Sequence, residues 1–132
     1  MINWLEKNKT ISLVITFLII MEIFYFSSLS FGGGGGGSSW IPVTYHFVIF
    51  FLLGFFTLIT LKGNRKIEKK FIIITILITI SYAILDELHQ LFVPFRSSSI
   101  QDILTDSLGI ASSIIIYWIY NKKIQKEKQL EN

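Results

Sequence analysis

Residues 71–93 read FIIITILITISYAILDELHQLFV. The stretch contains no charged residue before Asp86, and it is long enough to cross a bilayer, for which a helix needs about 20 apolar residues. Because backbone amides in hydrocarbon must be satisfied within the segment, its many isoleucines are expected in a helix, although they would favour a strand in water. Three further apolar blocks cover residues 11–31, 43–61 and 103–120. We predict that all four blocks are transmembrane helices.

The composition supports the same class of protein. The chain has 132 residues, of which 52% are hydrophobic and 16% are charged, whereas about a quarter of the residues in a soluble domain are charged. The mean hydropathy is +0.59. We therefore predict one all-α domain over residues 1–132, a polytopic membrane protein with four transmembrane helices in an antiparallel up-down bundle. Residues 32–42 would form a glycine-rich outer loop and residues 121–132 a cytoplasmic tail. The chain has no cysteine, which excludes thiol nucleophiles and cysteine-based metal sites.

Lysine and arginine residues are distributed unevenly along the chain. All of the 12 except Arg96 lie near the N-terminus, in the connection between the second and third spans, or in the tail. By the positive-inside rule, this distribution predicts a multi-pass plasma-membrane protein whose two termini and central connection are cytoplasmic. The basic residues then serve as topology signals that meet anionic lipid headgroups, and nucleic acid is not predicted as a partner.

Ionisable residues within the spans are the best guide to function, because each costs about 2.5 to 3.5 kcal/mol at the centre of a membrane helix on insertion scales. The ionisable residues and their polar neighbours are Glu22, His46, Asp86, Glu87, His89, Gln90, Asp102 and Asp106, with Arg96 in the connection between the last two spans. With the topology predicted from the lysines, all of the residues within the spans except Glu22 lie at the outer ends of their spans.

The spacing of these residues predicts two helix faces. Asp86, His89 and Gln90 are separated by three and four positions and share one face of the third span, while Glu87 is turned by about 100° from Asp86. In the fourth span a stripe repeats every three or four residues and consists of Asp102, Asp106, Gly109 and Ser113. The small residues of the stripe allow another helix to approach closely. We expect the two faces to meet, because a short turn joins the spans.

The turn itself contains two further signals. Ser99 and Asp102 have the spacing of a capping box at the start of the fourth span, so a cap is as good an interpretation of Asp102 as a functional role. Arg96 is close enough in sequence to bridge carboxylates or to bind an anionic headgroup.

At residues 86–97, DELHQLFVPFRS, the chain resembles a VanZ-like protein. The family has a similar D-E-x-H-Q run followed by a P-x-R-S turn, an aspartate and a downstream glycine. In this chain residues 86–97 are followed by Asp102, Asp106 and Gly109, and Asp106 stands where many relatives have an asparagine or an aspartate. The Phe-Ser-Ser sequence at 26–28 and His46 in the second span add to the resemblance, which extends over residues 11–120. A lysine that often precedes the histidine in the family is missing here, where residues 42–45 read PVTY. The resemblance implies a membrane fold and a link to reduced susceptibility to the glycopeptide teicoplanin, without implying a reaction.

These residues are compatible with several functions. One hypothesis is an enzyme that acts at the outer leaflet on a lipid or lipid-linked headgroup. The expected partners are membrane lipids, with a phosphorylated or glycosylated lipid headgroup or a glycopeptide as candidate ligands. Its catalytic residues would be Asp86, Glu87, His89, His46 and Asp106, and its substrate-binding residues would be Gln90, Arg96, Asp102 and Glu22. The alternatives are a non-catalytic accessory or binding protein, a proton- or ion-coupled carrier built from oligomers, and polar groups that only hold the helices together. Glu22 in particular would pair with His46 or with a serine of another span.

Two further predictions concern ligands and interfaces. No metal and no cofactor are predicted, because the histidines have neither the H-x3-H nor the HExxH spacing. Aromatic residues near the ends of the spans are interpreted as a belt at the membrane surface. They are Trp4, Trp40, Trp118, Tyr45, Tyr117 and Tyr120.

Overall fold

The computed structural model describes residues 2–30, 40–96 and 98–130, and all of the regular structure within them is helical. A short helix, α1 (Ile2–Lys7), precedes four long helices. These are α2 (Lys9–Ser28), α3 (Trp40–Lys62), α4 (Lys69–Gln90) and α5 (Ile100–Leu130). All four long helices are long and apolar enough to cross a membrane. The predicted all-α class is therefore confirmed.

The observed helices overlap the predicted spans but differ at their ends. Helix α3 begins at Trp40, three residues before the predicted span, because Pro42 is tolerated in the first turn of a helix. Helix α4 ends at Gln90 instead of residue 93, ahead of a turn that contains Pro94. Helix α5 continues through most of the predicted tail. Most of the predicted glycine-rich loop, residues 32–39, lies outside the described residues.

The long helices alternate in direction, and α3 contacts all of the others. Thr16 on α2 is 3.3 Å from Thr60 on α3 (Oγ1 to Oγ1), and the rings of Phe26 and Tyr45 are in contact near the opposite end of the same helix pair. Helices α2 and α3 are therefore antiparallel. We call the end at which α2 and α4 finish and α3 and α5 begin the acidic end, and the opposite one the basic end.

Helices α3 and α5 run in the same direction and make the most extensive contact in the bundle. A Cβ atom added to Gly109 would overlap the carbonyl oxygen of Phe47 and lie 3.0 Å from the backbone nitrogen of Phe51. A Cβ atom on Gly54 would lie 2.5 Å from Oγ of Ser113. The two glycines thus permit the close approach that the small residues of the α5 stripe predict.

Away from this contact the bundle has the surface of a membrane protein. Phe50, Leu53 and Leu58 of α3 are fully buried at the centre. Large apolar side chains on the other helices point outward and are exposed, for example Leu77 on α4 and Leu108 on α5. Such a surface is suited to lipid, because lipid chains replace the water that would disfavour it.

The basic end contains three buried polar side chains, and for two of them this burial differs from the expectation from the sequence. Lys62, expected among the basic residues that meet anionic lipid headgroups, is 3% exposed, and its Nζ lies 2.9 Å from Oε2 of Glu6. Tyr117, interpreted as part of the aromatic belt, is fully buried and donates a hydrogen bond to the other carboxylate oxygen of Glu6. The three side chains come from α3, α1 and α5, so they join the N-terminal helix to the bundle. The tryptophans at positions 4, 40 and 118 are exposed, as the belt requires.

Candidate functional site

A buried histidine and a buried aspartate form the centre of the acidic end. His46 and Asp106 each lie six residues after the first residue of α3 and α5. Because these helices are parallel and begin at the same end, the two side chains meet. Nδ1 of His46 lies 3.0 Å from Oδ1 of Asp106, and Asp106 has no exposed surface. A carboxylate on one ring nitrogen fixes the orientation of the ring and directs the other nitrogen away from the carboxylate.

Glu87 approaches this pair from α4. Its side chain is only 1% exposed, and Oε2 accepts a hydrogen bond of 2.7 Å from the backbone N–H of Ser99. Within the described part of the chain, Oε1 has no hydrogen-bond partner. One ligand atom each from Glu87, His46 and the half-buried Asp102 lie within 4.8 Å of one another. We call His46, Glu87, Asp102 and Asp106 the acidic-end cluster.

The start of α5 explains why Asp102 is available to this cluster. In a capping box, the carboxylate of Asp102 would accept the backbone N–H of Ser99. In the structure Glu87 of the neighbouring helix accepts it, while Oγ of Ser99 accepts the backbone N–H of Gln101 at 3.1 Å. Ser99 thus caps the helix as predicted, but a residue from α4 replaces the second partner of the box.

The polar face predicted on α4 is divided between two neighbourhoods. Asp86 and Gln90 are both buried, and Nε2 of Gln90 donates to Oδ2 of Asp86 at 2.9 Å. His89 faces α2 instead, where its Nε2 lies 3.0 Å from Oγ of Ser28 and its ring packs on Phe24. The expectation that His89 meets the α5 stripe is therefore wrong. Glu87, one position along, does reach the stripe, where it lies close to Asp102, because a helix turns by about 100° per residue.

Arg96 binds the end of α2. Its Nη2 donates to the carbonyl oxygen of Phe26 at 2.7 Å, and its Nε donates to that of Leu29 at 3.3 Å. The last carbonyl groups of a helix have no partner within the helix, so a guanidinium group there satisfies them. In the structure these contacts make Arg96 a connector between the α4–α5 turn and α2, a role that its sequence position did not indicate.

A comparison with protein families covers nearly the whole bundle. The family model described as VanZ/LLP1 matches residues 3–121. The chain belongs to the VanZ/LLP1 family. The resemblance predicted from residues 86–97 is thereby confirmed, and the matched region includes every member of the acidic-end cluster. Comparisons with curated proteins and with solved structures give no match.

The VanZ/LLP1 chain also has a groove between α2 and α3, close to the cluster. The groove has a volume of about 520 Å³ and an almost entirely apolar lining in which Glu22 is the charged residue. Glu22 is exposed there, and the expected pairing with His46 is not formed because His46 binds Asp106. Tyr45 lines the groove, and its ring contacts that of His46 edge to face, with centroids 6.0 Å apart. Tyr45 therefore contacts both the groove and the cluster.

This arrangement has a defined chemical capacity. The carboxylates of the cluster accept hydrogen bonds from hydroxyl or amine groups, and together with an imidazole they are suitable ligands for a cation. The His46–Asp106 pair also has the geometry of a base held by an orienting carboxylate. Tyr45 and Ser99 are members of the site that the sequence did not indicate. Ser99 contributes a backbone N–H, which leaves no signal in the side chain.

Proposed function

We propose that this VanZ/LLP1 protein lies in the plasma membrane with both termini in the cytoplasm, and that its acidic end binds the polar headgroup of a lipid or lipid-linked cell-envelope molecule in the outer leaflet. The strong bias of lysine and arginine toward one side supports this orientation. The observation that carries the proposal is that Tyr45 lines the apolar groove and also contacts the ring of His46 in the buried cluster.

The apolar groove suits the hydrocarbon chain of a lipid, and the acidic-end cluster suits its polar headgroup. The groove of about 520 Å³ has the size and lining for part of an acyl or isoprenoid chain. The cluster offers carboxylate acceptors in a water-poor setting, where hydrogen bonds from sugar hydroxyl or amino groups are stronger than at an exposed surface. Binding of such a headgroup would change what a glycopeptide such as teicoplanin meets at the outer leaflet, which is the route by which the proposal accounts for the family link.

A second candidate function is catalysis on the same headgroup. The 3.0 Å contact between Nδ1 of His46 and Asp106 favours it, because an oriented imidazole is the commonest general base in proteins. Binding and catalysis are distinguished by whether the lipid leaves the protein chemically changed.

The two histidines provide a matched test of the proposed function. We expect His46→Gln to lower retention of the lipid by at least about tenfold, the loss for one hydrogen-bonded group in a buried site. His89→Gln, at the same end but directed toward α2, should retain the lipid within about twofold. The measurement is native mass spectrometry of detergent-purified protein after incubation with a total lipid extract of the expression host, with the released lipids identified by fragmentation.

Both variants are first compared with the wild type for membrane abundance and for elution as a single species. Equal lipid retention by the wild type and His46→Gln would contradict the proposal, and so would loss in His89→Gln alone. A new lipid species produced by the wild type and not by His46→Gln would establish the catalytic candidate.

A further inference from the structure

Three helices of the bundle bring potential metal ligands to one point. His46 lies on α3, Glu87 on α4 and Asp102 on α5, and one nitrogen or oxygen atom of each lies within 4.8 Å of the other two. Two donor atoms bound to one ion at about 2 Å are about 3 to 4 Å apart, so the most widely separated of these atoms must move together by about 1 Å when an ion binds. Glu87 and His46 are buried, whereas Asp102 is half-buried, so one side of the group remains accessible.

Two carboxylate oxygens of the acidic-end cluster lack hydrogen-bond partners among the described residues, which favours the binding of a cation there. Within the described part of the chain, Oε1 of Glu87 and Oδ2 of Asp106 are buried and have no hydrogen-bond partner. Glu87 is 1% exposed and Asp106 is fully buried. Buried carboxylates repel one another and lose the solvation of water, so they require a proton or a cation nearby. The oxygen Oε1 without a partner in this part of the chain belongs to Glu87, which is one of the three converging residues.

We propose that His46, Glu87 and Asp102 bind one divalent transition-metal cation, with Asp106 as a positioning residue for His46. An imidazole with two carboxylates suits Zn²⁺ or Mn²⁺, whereas Mg²⁺ and Ca²⁺ prefer sites made only of oxygen atoms. The contact between Asp106 and Nδ1 of His46 is the carboxylate–histidine arrangement that accompanies metal-bound histidines, and it leaves Nε2 as the nitrogen for the metal.

The proposed site has room for an external ligand, because three protein ligands leave at least one coordination position of a tetrahedral ion open. The accessible side at Asp102 would direct this position toward the α4–α5 turn. The metal site does not depend on the proposed headgroup binding, since all three ligands belong to the chain. It can therefore be tested in detergent without lipid.

The test uses the full chain purified in detergent with an affinity tag that contains no histidine. The protein is stripped with EDTA, the chelator is removed, and ZnCl₂, MnCl₂ or MgCl₂ is titrated by calorimetry. We expect one Zn²⁺ or Mn²⁺ per chain and much weaker binding of Mg²⁺. Glu87→Gln and Asp102→Asn each remove a ligand and should abolish measurable binding, whereas Asp106→Asn should weaken it by about 10- to 100-fold.

Glu68→Gln is the matched control, because it removes the same charge at the opposite, basic end of the bundle and should bind the cation as the wild type does. Circular dichroism and gel filtration of the metal-free proteins establish that each variant is folded. If Glu87→Gln does not fold, Asp102→Asn tests the same site from its accessible side. Absence of Zn²⁺ and Mn²⁺ binding by the wild type overturns the proposal, as does equal binding by the wild type and the folded ligand variants.

Discussion

Replacement of Gly109 by alanine is expected to destabilise the bundle by about 3 kcal/mol, at the upper end of the cost of overpacking. The added methyl group would overlap the carbonyl oxygen of Phe47 and lie 3.0 Å from the backbone nitrogen of Phe51. Both are backbone atoms of α3, so relief requires that whole helices separate. The expected loss runs against intrinsic helix propensity, by which alanine is more favourable than glycine by about 1 kcal/mol.

Gly54 provides an internal comparison at the same interface. There the nearest obstacle is Oγ of Ser113 at 2.5 Å, and the next is Cα of Ile110 at 3.3 Å. Because the first obstacle is a side-chain atom, Gly54→Ala should cost less than Gly109→Ala. The double variant Gly54→Ala/Ser113→Ala should recover part of that cost, although the hydrogen bond from Ser113 to the Ile110 carbonyl is lost.

The measurement is unfolding by sodium dodecyl sulfate in mixed micelles, followed by circular dichroism. Ala111→Leu, on an exposed position of α5, is the control for an enlarged side chain on the same helix and should change the free energy of unfolding by less than about 0.5 kcal/mol. If Gly109→Ala is as stable as Ala111→Leu, the close contact between α3 and α5 is not required for the fold.

The sequence predicted the bundle well because the bilayer limits what the chain can form. Apolar segments of about 20 residues must be helices in hydrocarbon, so residues 71–93 could be assigned without knowledge of their neighbours. The small residues around Gly109 likewise predicted a close helix contact, since a stripe on one helix is visible in the spacing alone. The spacing does not reveal which helix packs against this stripe, and the structure shows that it is α3.

The cluster was harder to predict because its members come from three helices. Spacing along one helix did not favour a metal site, since neither histidine has a second histidine at the required distance in the sequence. The spacing of three and four positions on α4 placed Asp86 and His89, but not Glu87, on the face that was expected to meet α5. Which face of α4 meets α5 depends on how the helices rotate as they pack, and this is fixed by contacts along the whole bundle. The burial of Lys62 could not be predicted for a related reason, because its partner Glu6 lies on a helix outside the predicted spans.

Removal of one partner of the buried pair at the basic end is the second change for which we expect a large effect. Nζ of Lys62 lies 2.9 Å from Oε2 of Glu6, and both side chains are almost fully buried. Lys62→Met leaves a buried carboxylate with Tyr117 as its remaining donor, and Glu6→Gln leaves a buried ammonium beside a neutral amide. Each single variant is expected to lose about 3 kcal/mol, because an isolated buried charge costs more than the pair provides.

The double variant Glu6→Gln/Lys62→Met is expected to regain most of this loss and to unfold within about 1 kcal/mol of the wild type, since no buried charge remains without a partner. The amide of the substituted residue 6 still accepts the hydrogen bond that Tyr117 donates. A double-mutant cycle in mixed micelles measures the coupling free energy directly.

The chain contains its own control for this cycle. Lys70 and Glu68 also form an ion pair of 2.9 Å, but both side chains are more than half exposed. Substitution of Glu68 by Gln and Lys70 by Met should give a coupling free energy below about 1 kcal/mol, because solvent and salt screen an exposed pair. Equal coupling in the two pairs would mean that burial does not strengthen the contact between Glu6 and Lys62. A large coupling confined to that pair would show that it holds α1 against the bundle.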